Sequence, residues 1–476
     1  MSLKKATVSN IKWSFIETIS LKAIGFTLSI VLARLLSPSA FGILAIVNVF
    51  YLLTTLFIDG GLKEALIQKK NATEEDYATI FWLNMTMACF IYICLFIAAP
   101  FIEAFYGYKQ LAFYIRLQSV ILVIESFGLI QIIKATKELN LKKITKARIP
   151  ASLLSFGVGI LLAYNGFGVI SLIMQELTNG LIYAIILCLN IRYKPRFMFS
   201  KASFKSLYGF GLKLFAAGYV NRAYVQSINL IYAHFYNPQL LGLYTRSKSL
   251  QGVPIDIINT TFSSGSYPTM VQLQDNNKQL AKMFLTNIQI LMYIMVLLNC
   301  FLYFQASNLI YFLLGQKWME MIPYLKIIAL GTMFVPINVQ CINVLKVKGM
   351  GGLFFRMEFI WKATLLITII TFVIYSSFIA VLWSVITVDM IMAMVYLSMA
   401  SKLIEFSLIR EIGNFIILFA FHFMLAFLLS YGISLTISGY SIYSLILFGI
   451  IYLPISLAGV WLVKRETIKL LLKNLK

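Results

Sequence analysis

Charge is scarce in this 476-residue sequence. Asp, Glu, Lys and Arg make up 12% of it, about half the share of a soluble domain. Acid is scarcer than base, with 18 Asp and Glu against 40 Lys and Arg and a formal net charge of +22. Two histidines, His234 and His422, are too few for a histidine-built catalytic or metal centre. The five cysteines (Cys89, Cys94, Cys188, Cys300 and Cys341) all fall in apolar segments. That excludes an extracellular disulfide framework and a Cys/His cluster at metal-ligand spacing, so no cofactor or metal is expected. A long polar segment is also missing. The longest connection, IRYKPRFMFSKASFKS (191–206), is too short to fold around a core of its own.

Apolar residues are abundant, at 60%, and they recur in runs of about 20, the length that crosses a bilayer. Only helices and closed barrels satisfy their backbone polar groups in lipid. These runs far exceed the roughly 10-residue alternating strands of a barrel. The sequence therefore predicts an all-α integral membrane protein with 14 transmembrane helices. They are placed near 10–34, 41–66, 78–105, 111–133, 149–164, 168–190, 207–235, 240–267, 283–312, 321–345, 355–377, 379–400, 412–435 and 441–463. The first run continues to Leu36 without a small-residue cleavage site and reads as a retained span. Pro38, Pro100, Pro150, Pro238, Pro254 and Pro323 mark corners, first turns or kinks.

The basic residues sort by side. The N-terminus and every second connection hold 29 of the 40, whereas the opposite connections hold only Lys109 and Lys317. The positive-inside rule then sets both termini in the cytoplasm, which an even span count allows. The +22 charge therefore reads as topology rather than as a nucleic-acid surface.

The two halves repeat. ARLLSPSAFG (33–42) returns as AHFYNPQLLG (233–242), with Ala33, Pro38 and Gly42 in register with Ala233, Pro238 and Gly242. LAFYIRLQS (111–119) returns as MIPYLKIIA (321–329), aligning Tyr114 with Tyr324 and Arg116 with Lys326. Six spans per copy make the repeat parallel, with a pseudo-two-fold along the membrane normal and two spans appended. Transporters with such repeats hold substrate between the halves.

Intramembrane charge is concentrated in spans 1, 2, 7 and 8, which carry Glu17, Lys22, Arg34, Asp59, Lys63, Lys213, Arg222, Arg246, Lys248 and Asp256. Spans 13 and 14 (412–463) contain no Asp, Glu, Lys or Arg. A charge at the bilayer centre costs about 2.5–3.5 kcal/mol on insertion scales, so it faces an interior or a wet cavity. Asn48, Thr55, Asp59 and Lys63 share one helical face, as do Arg222, Gln226 and Asn229. Ser249, Gly252, Asp256, Asn259 and Ser263 form a third stripe. Together they predict a hydrophilic cleft.

Several of these charges have plain alternatives. Lys63 and Lys213 sit where a lysine snorkels to the headgroups, Asp59 and Lys63 are spaced as a structural ion pair, and Arg116 and Lys326 are spaced as interfacial anchors. Arg34, at the outer end of span 1, reads either as a snorkelling residue or as a contact at the cleft mouth. The expected headgroup-binding set is Lys22, Arg34, Arg222, Arg246 and Lys248. Glu17, Asp59 and Asp256 provide counter-charge or ion coupling, and Asn48, Gln226, Asn229 and Asn259 provide polar lining. Glu125, Glu176 and Asp389 are weaker candidates. An excess of cations favours an anionic cargo, since Arg pairs bidentately with phosphate oxygens and Lys acts as a point charge.

LARLLSPSAFG (32–42), LGLYTRSKSL (241–250), SSGSYPTMVQLQDNNKQL (263–280), LLGQKWMEMIPYLKIIALG (313–331) and NVLKVKGMGGLFFRMEFIWK (343–362) resemble the Wzx-type polysaccharide transporters. These are lipid-linked oligosaccharide flippases of the multidrug/oligosaccharidyl-lipid/polysaccharide superfamily, and the likeness is to the colanic and teichuronic acid exporter branch. The resemblance implies a V-shaped, MATE-like bundle in a bacterial cytoplasmic membrane. Its parts would be an N-terminal lobe (1–196), a C-terminal lobe (197–410), and spans 13 and 14 with a basic tail (411–476). It implies a cargo of undecaprenyl-pyrophosphate bearing a sugar repeat unit, spans 1, 2, 7 and 8 around the cavity, and a tail groove formed by the last two spans. Polysaccharide polymerase or chain-length machinery would be a partner. One departure stands out, because His234 occupies the position that the repeat pairs with Arg34. The rival readings are a multidrug/cation antiporter on the same fold, a membrane polymerase or ligase, and a scaffold. The cation excess opposes the first, the short outer connections oppose the second, and the charged stripes oppose the third.

Overall fold

The computed structural model describes residues 3–437 and 439–463, without the side chains of 3–12, 14, 15, 59, 210–214, 216–218, 261, 263, 264 and 459–463. Among the described residues all regular structure is helical. The first elements are α1 (Leu3–Leu35), α2 (Pro38–Asp59), α3 (Leu62–Gln68), α4 (Glu74–Tyr106), α5 (Leu111–Lys137), α6 (Leu141–Tyr164), α7 (Val169–Asn190) and α8 (Lys201–Phe235). Then follow α9 (Pro238–Gln272), α10 (Asn277–Leu313), α11 (Ile322–Gly331), α12 (Val335–Val347), α13 (Gly351–Tyr375), α14 (Phe378–Ile404), α15 (Leu408–Thr436) and α16 (Ile442–Val463). Two 3₁₀ turns, Gln316–Met321 and Thr332–Phe334, flank α11.

Eleven of the described helical segments are long and apolar enough to cross a membrane, and Ile442–Ala458 is a shorter apolar helix. α8 and α9 are absent from that set although each runs for 35 residues. Their polar stripes lower the apolar content that the other spans keep. The second expected span is not one helix. Gly60 and Gly61 both adopt positive φ, +52° and +69°, a conformation cheap only for glycine, and they end α2 before α3 starts. The helical spacing from Asn48 and Thr55 therefore runs no further than Asp59, and Lys63 lies on a separate helix. α4 starts from a capping box in which Thr73 Oγ1 accepts from the Asp76 amide (3.3 Å) and Asp76 Oδ2 accepts from the Thr73 amide (2.9 Å). Buried Asp76 also pairs with Lys69 at 2.8 Å.

The chain divides into two compact units, Met1–Gly242 and Leu243–Lys476. In the first, α8 packs on α2, α3 and α4, while α5, α6 and α7 pack on one another and α1 lies along α6. A core of Leu66, Ile80, Phe81, Ile130, Ile133 and Leu207 joins α3, α4, α5 and α8. In the second unit, Val296, Cys300, Ala426, Phe448 and Tyr452 pack α15 and α16 onto α10. The outward faces of these helices are apolar, as at Phe101, Phe105, Ile367, Ile417 and Leu435, which is what a lipid-facing surface requires.

The duplicated corner packs against its own copy inside the first unit. A Cβ on Gly42 would lie 1.7 Å from the Pro238 carbonyl oxygen, and one on Gly242 would lie 1.9 Å from that of Pro38. Backbone meets backbone there, with Ala33 and Ala233 buried beside it. Tyr108 fastens the corner further, its hydroxyl donating to the carbonyls of Ala233 and Tyr236 at 2.9 Å each.

Overpacking a tight site costs about 1–3 kcal/mol, and a backbone wall leaves no side chain to yield. G42A and G242A should therefore each lower the thermal unfolding midpoint in detergent clearly. G25A and G252A, where a methyl meets nothing within 4 Å, should match the parent or exceed it slightly.

Candidate functional site

The expected site residues divide between the two units. In the first, α1 is tied to α6 by Glu17. Its Oε1 accepts from Arg148 Nη1 at 3.1 Å and its Oε2 from Thr145 Oγ1 at 2.9 Å. Glu17 is thus answered by an arginine that the sequence reading had assigned to a cytoplasmic connection. Arg148 also lies over the Tyr183 ring at 5.0 Å. Lys22 is half-buried and Arg34 is exposed. The side chain of Asp59 lies outside the described residues.

Asn48 joins a network that spans α2, α5 and α7. Its Nδ2 donates to Glu176 Oε1 at 3.2 Å, and its Oδ1 accepts from Gln118 Nε2 at 3.4 Å. Gln118 Nε2 also donates to Glu176 Oε2. One turn along α2, the Tyr51 hydroxyl donates to Glu125 Oε2 at 2.8 Å. Arg222 on α8 is half-buried, and its charge reaches the Tyr51 hydroxyl. Along the same stripe, Asn229 Nδ2 donates to the Oε1 of buried Gln226 at 3.1 Å. Three elements of one unit, α2, α5 and α7, therefore converge on two carboxylates, Glu125 and Glu176, which the sequence placed behind Glu17 and Asp59. Gln118 and Tyr51 were missed altogether. A signal for both existed, because Asn48 and Tyr51 are three apart on α2 and Gln118 and Glu125 seven apart on α5.

In the second unit, Arg246 is half-buried on α9, while Lys248 and Asp256 are exposed. The Lys248 ammonium lies 5.9 Å from the Tyr244 ring centroid, and its charge acts on Asp389 of α14. Asp389 Oδ1 also accepts from Trp361 Nε1 at 3.0 Å. Asn259 is half-buried and its Oδ1 has no hydrogen-bond partner. A network absent from the sequence reading centres on buried Gln251, whose Nε2 donates to Asn299 Oδ1 (3.0 Å), to the Ile328 carbonyl (3.3 Å) and to Thr332 Oγ1. It lies where α11 gives way to the Thr332–Phe334 turn.

Laid on each other by the repeat, the two units place the same chemistry at the same positions. Ser171, Glu176 and Tyr183 on α7 match Ser384, Asp389 and Tyr396 on α14 at a constant offset of 213. Each serine hydroxyl donates to the carbonyl three residues back, Gly168 and Val381 respectively. Each tyrosine hydroxyl is buried without a partner. At the offset of 200 set by the corner, Asn48 corresponds to Lys248 and Tyr51 to Gln251. The acid is kept in both units: Glu176 accepts from Asn48, whereas Asp389 accepts from Trp361, and Lys248 stands at the position of Asn48. Among the described residues no group of three or more His, Cys, Asp or Glu is arranged to hold a metal ion.

Comparison with known proteins bears on this arrangement. The teichuronic acid biosynthesis protein TuaB of Bacillus subtilis (strain 168) is 24% identical over 363 residues, 74% of each chain. The succinoglycan biosynthesis transport protein ExoT of Rhizobium meliloti (strain 1021) is 22% identical over 351 residues, 74% of this chain and 71% of ExoT. Among solved structures, the lipid II flippase MurJ in an inward closed conformation superposes with a TM-score of 0.74 at 15% identity, covering 96% of this chain and 100% of MurJ. An inward-facing multidrug resistance MATE family transporter superposes at 0.62 with 14% identity, covering 83% of this chain and 98% of the transporter. The fold is therefore all-helical and MurJ/MATE-like. The family described as polysaccharide biosynthesis protein matches residues 31–323, from the first duplicated corner into α11, and the chain belongs to that family.

Proposed function

We infer that this protein carries a polyprenyl-pyrophosphate-linked oligosaccharide repeat unit, with undecaprenyl as the polyprenyl, from the inner to the outer leaflet of a bacterial cytoplasmic membrane. It supplies surface polysaccharide assembly in this way and makes or breaks no bond. The observation that carries the reading is the family membership joined to the polarity of α8 and α9. These 35-residue helices are too polar to count as apolar spans, yet they lie in a chain of the MurJ/MATE fold. Polar, cation-bearing helices in that setting suit an anionic headgroup that has to leave water without meeting lipid.

The headgroup would be met by Lys22, Arg34, Arg222, Arg246 and Lys248, lined by Asn48, Gln226, Asn229 and Asn259, with Asp59 and Asp256 as counter-charges. Glu17, answered by Arg148, fits the counter-charge role as an α1–α6 tie. The prenyl tail would stay in lipid beside α15 and α16, whose spans carry no charge between 412 and 463. This reading keeps fourteen spans with both termini cytoplasmic, and the division at 1–196, 197–410 and 411–476 that the repeat suggests. It also places a polysaccharide polymerase downstream. Cargo passage would expose the binding residues to the two membrane faces in turn, driven by substrate, ion gradient or membrane potential.

Charge reversal tests the cationic path. R246E should abolish surface polysaccharide while the protein remains in the membrane at parental level. K248E should do the same but also unfold more readily, because it sets a second carboxylate near Asp389, and K248Q separates the two effects. Normal display by R246E and K248Q together would remove the cations from the mechanism.

Deletion tests the cargo. Leaflet-resolved analysis of lipid-linked sugars should find complete repeat units held on the cytoplasmic side. Single repeats accumulating on the outer side would point to a polymerase instead.

A further inference from the structure

The second unit holds an open cavity of about 560 Å³ that the cationic path does not use, lined by Tyr311, Gln316, Met319 and Tyr440. It lies where the C-terminal end of α10 meets the Gln316–Met321 turn and the α15–α16 connection. This is the end of α10 away from its basic residues. Lys278 and Lys282 stand in the first two turns of α10, and Phe284 packs on Phe406 of the α14–α15 connection at 5.3 Å between ring centroids. Tyr311 follows about 40 Å further along the same helix, at 1.5 Å per residue. That is the thickness of a bilayer with its headgroups.

The surrounding contacts fix the lining in place. Tyr311 of α10 and Tyr440 of the α15–α16 connection bring their rings to 5.5 Å between centroids, tilted by 32°. Asn308, one turn before Tyr311, pins that connection. Its Oδ1 accepts from the Ser441 amide at 3.2 Å and its Nδ2 donates to Ser444 Oγ at 3.1 Å. Fully buried Trp318 anchors the turn, while Gln316 stays exposed. Among the described residues the Gln316 side-chain amide makes no hydrogen bond. Both cavity tyrosines are exposed, at 44% and 54%. A tyrosine that only marks the membrane interface needs no ring partner, and exposed Tyr443 is such a residue. A fixed pair of rings beside a free amide calls for a ligand.

We propose that Tyr311, Tyr440, Gln316 and Met319 form a binding site for a neutral pyranose sugar. A pyranose has an apolar C–H face and a rim of hydroxyls. The two phenol rings offer a flat apolar platform to the face, and the Gln316 amide offers a donor and an acceptor to adjacent hydroxyls. Met319 fills irregular space beside them. The volume falls within the range of about 300–1,000 Å³ found for small-ligand pockets. The lining carries no charged side chain, so a phosphate gains no ion pair there. An alkyl chain would leave the amide and both hydroxyls unused. The place of this site in transport rests on the function proposed above. The sugar of the carried repeat unit would be received there, at the outer end of α15 and α16, before release. Sugar binding itself does not rest on that reading.

The test uses the full chain in lipid nanodiscs, free of sugar-headed detergent. The probe is the neutral oligosaccharide fraction from partial acid hydrolysis of the source cells' surface polysaccharide. It is titrated while saturation-transfer NMR reads its ring protons. The parent should show saturable transfer to those protons. The double variant Y311A/Y440A should raise the half-saturating concentration at least about tenfold, and Q316A about threefold. Y311F and Y440F keep the rings and should stay close to the parent. Because these side chains are exposed, all the variants should unfold at the parental midpoint. No transfer in the parent, or undiminished transfer in Y311A/Y440A, overturns the site. Phenylalanine variants that fall as far as the alanine variant overturn the stacking platform. Transfer from octyl glucoside but not from the oligosaccharides marks a seat for lipid and overturns the sugar. Failure of the deletion test above removes the transport role alone, since sugar binding is read on the purified chain.

Discussion

A carboxylate drawn in among apolar helices has to be answered by donors or cations from neighbouring helices, because water is not there to do it. That requirement orders the interior of this chain. Glu17 draws Thr145 and Arg148 of α6 to α1. Glu176 draws Asn48 and Gln118, and Glu125 draws Tyr51, so that α2, α5 and α7 are joined by polar groups across an otherwise apolar contact. Asp389 draws Trp361 of α13 to α14. Gln251, Asn299 and Thr332 do the same for α9, α10 and the turn after α11 without any net charge. Each acid fixes which faces of its neighbours turn inward, and apolar packing such as the Leu66–Ile130–Leu207 core fills in around that choice.

Duplication supplied the scaffold, and divergence then acted on how each acid is answered. Gly42 and Gly242 remain glycines because the carbonyl of the opposite corner proline stands where a Cβ would go. Neither copy can change alone without pushing its counterpart aside. Ser171 and Ser384, Glu176 and Asp389, and Tyr183 and Tyr396 remain in register for a related reason, since each sits where its helix meets its own unit's interior. Asn48 and Lys248 are different. Asn48 is half-buried on α2 and hydrogen-bonded to Glu176, whereas Lys248 is exposed on α9, so a change of residue there alters the charge of the unit without disturbing a buried contact.

Helix positions and the concentration of charge were legible in the sequence because both follow from local composition and 3.6-residue periodicity. The spacing of Arg222, Gln226 and Asn229 was readable for the same reason, and Asn229 donates a hydrogen bond to Gln226. The partners of the acids were not readable. Glu17 and Arg148 are 131 residues apart, and Asn48 and Glu176 are 128 apart, separations that no local pattern reports. Arg148 was counted with the cytoplasmic basic residues because it follows a run of lysines, whereas helix α6 carries it alongside α1. The break at Gly60–Gly61 was hidden by the apolar run around it, although two adjacent glycines are a backbone signal in their own right. Glu176 and Asp389 seemed isolated until the offset of 213 put them at one position.

Lys248 and Arg246 differ in what they could offer an anionic cargo. A lysine whose charge already acts on Asp389 offers a pyrophosphate less attraction than one facing only neutral groups, since binding the anion has to compete with the carboxylate. Arg246, half-buried two residues earlier on α9, projects from a different face, because residues two apart on a helix do not share one. The guanidinium also grips phosphate oxygens in pairs, which an ammonium cannot do. If the cargo is an anionic lipid headgroup, the grip falls to Arg246 and the charge balance of the unit to Lys248. Exchanging the two residues would then damage the protein even though net charge and composition stay the same.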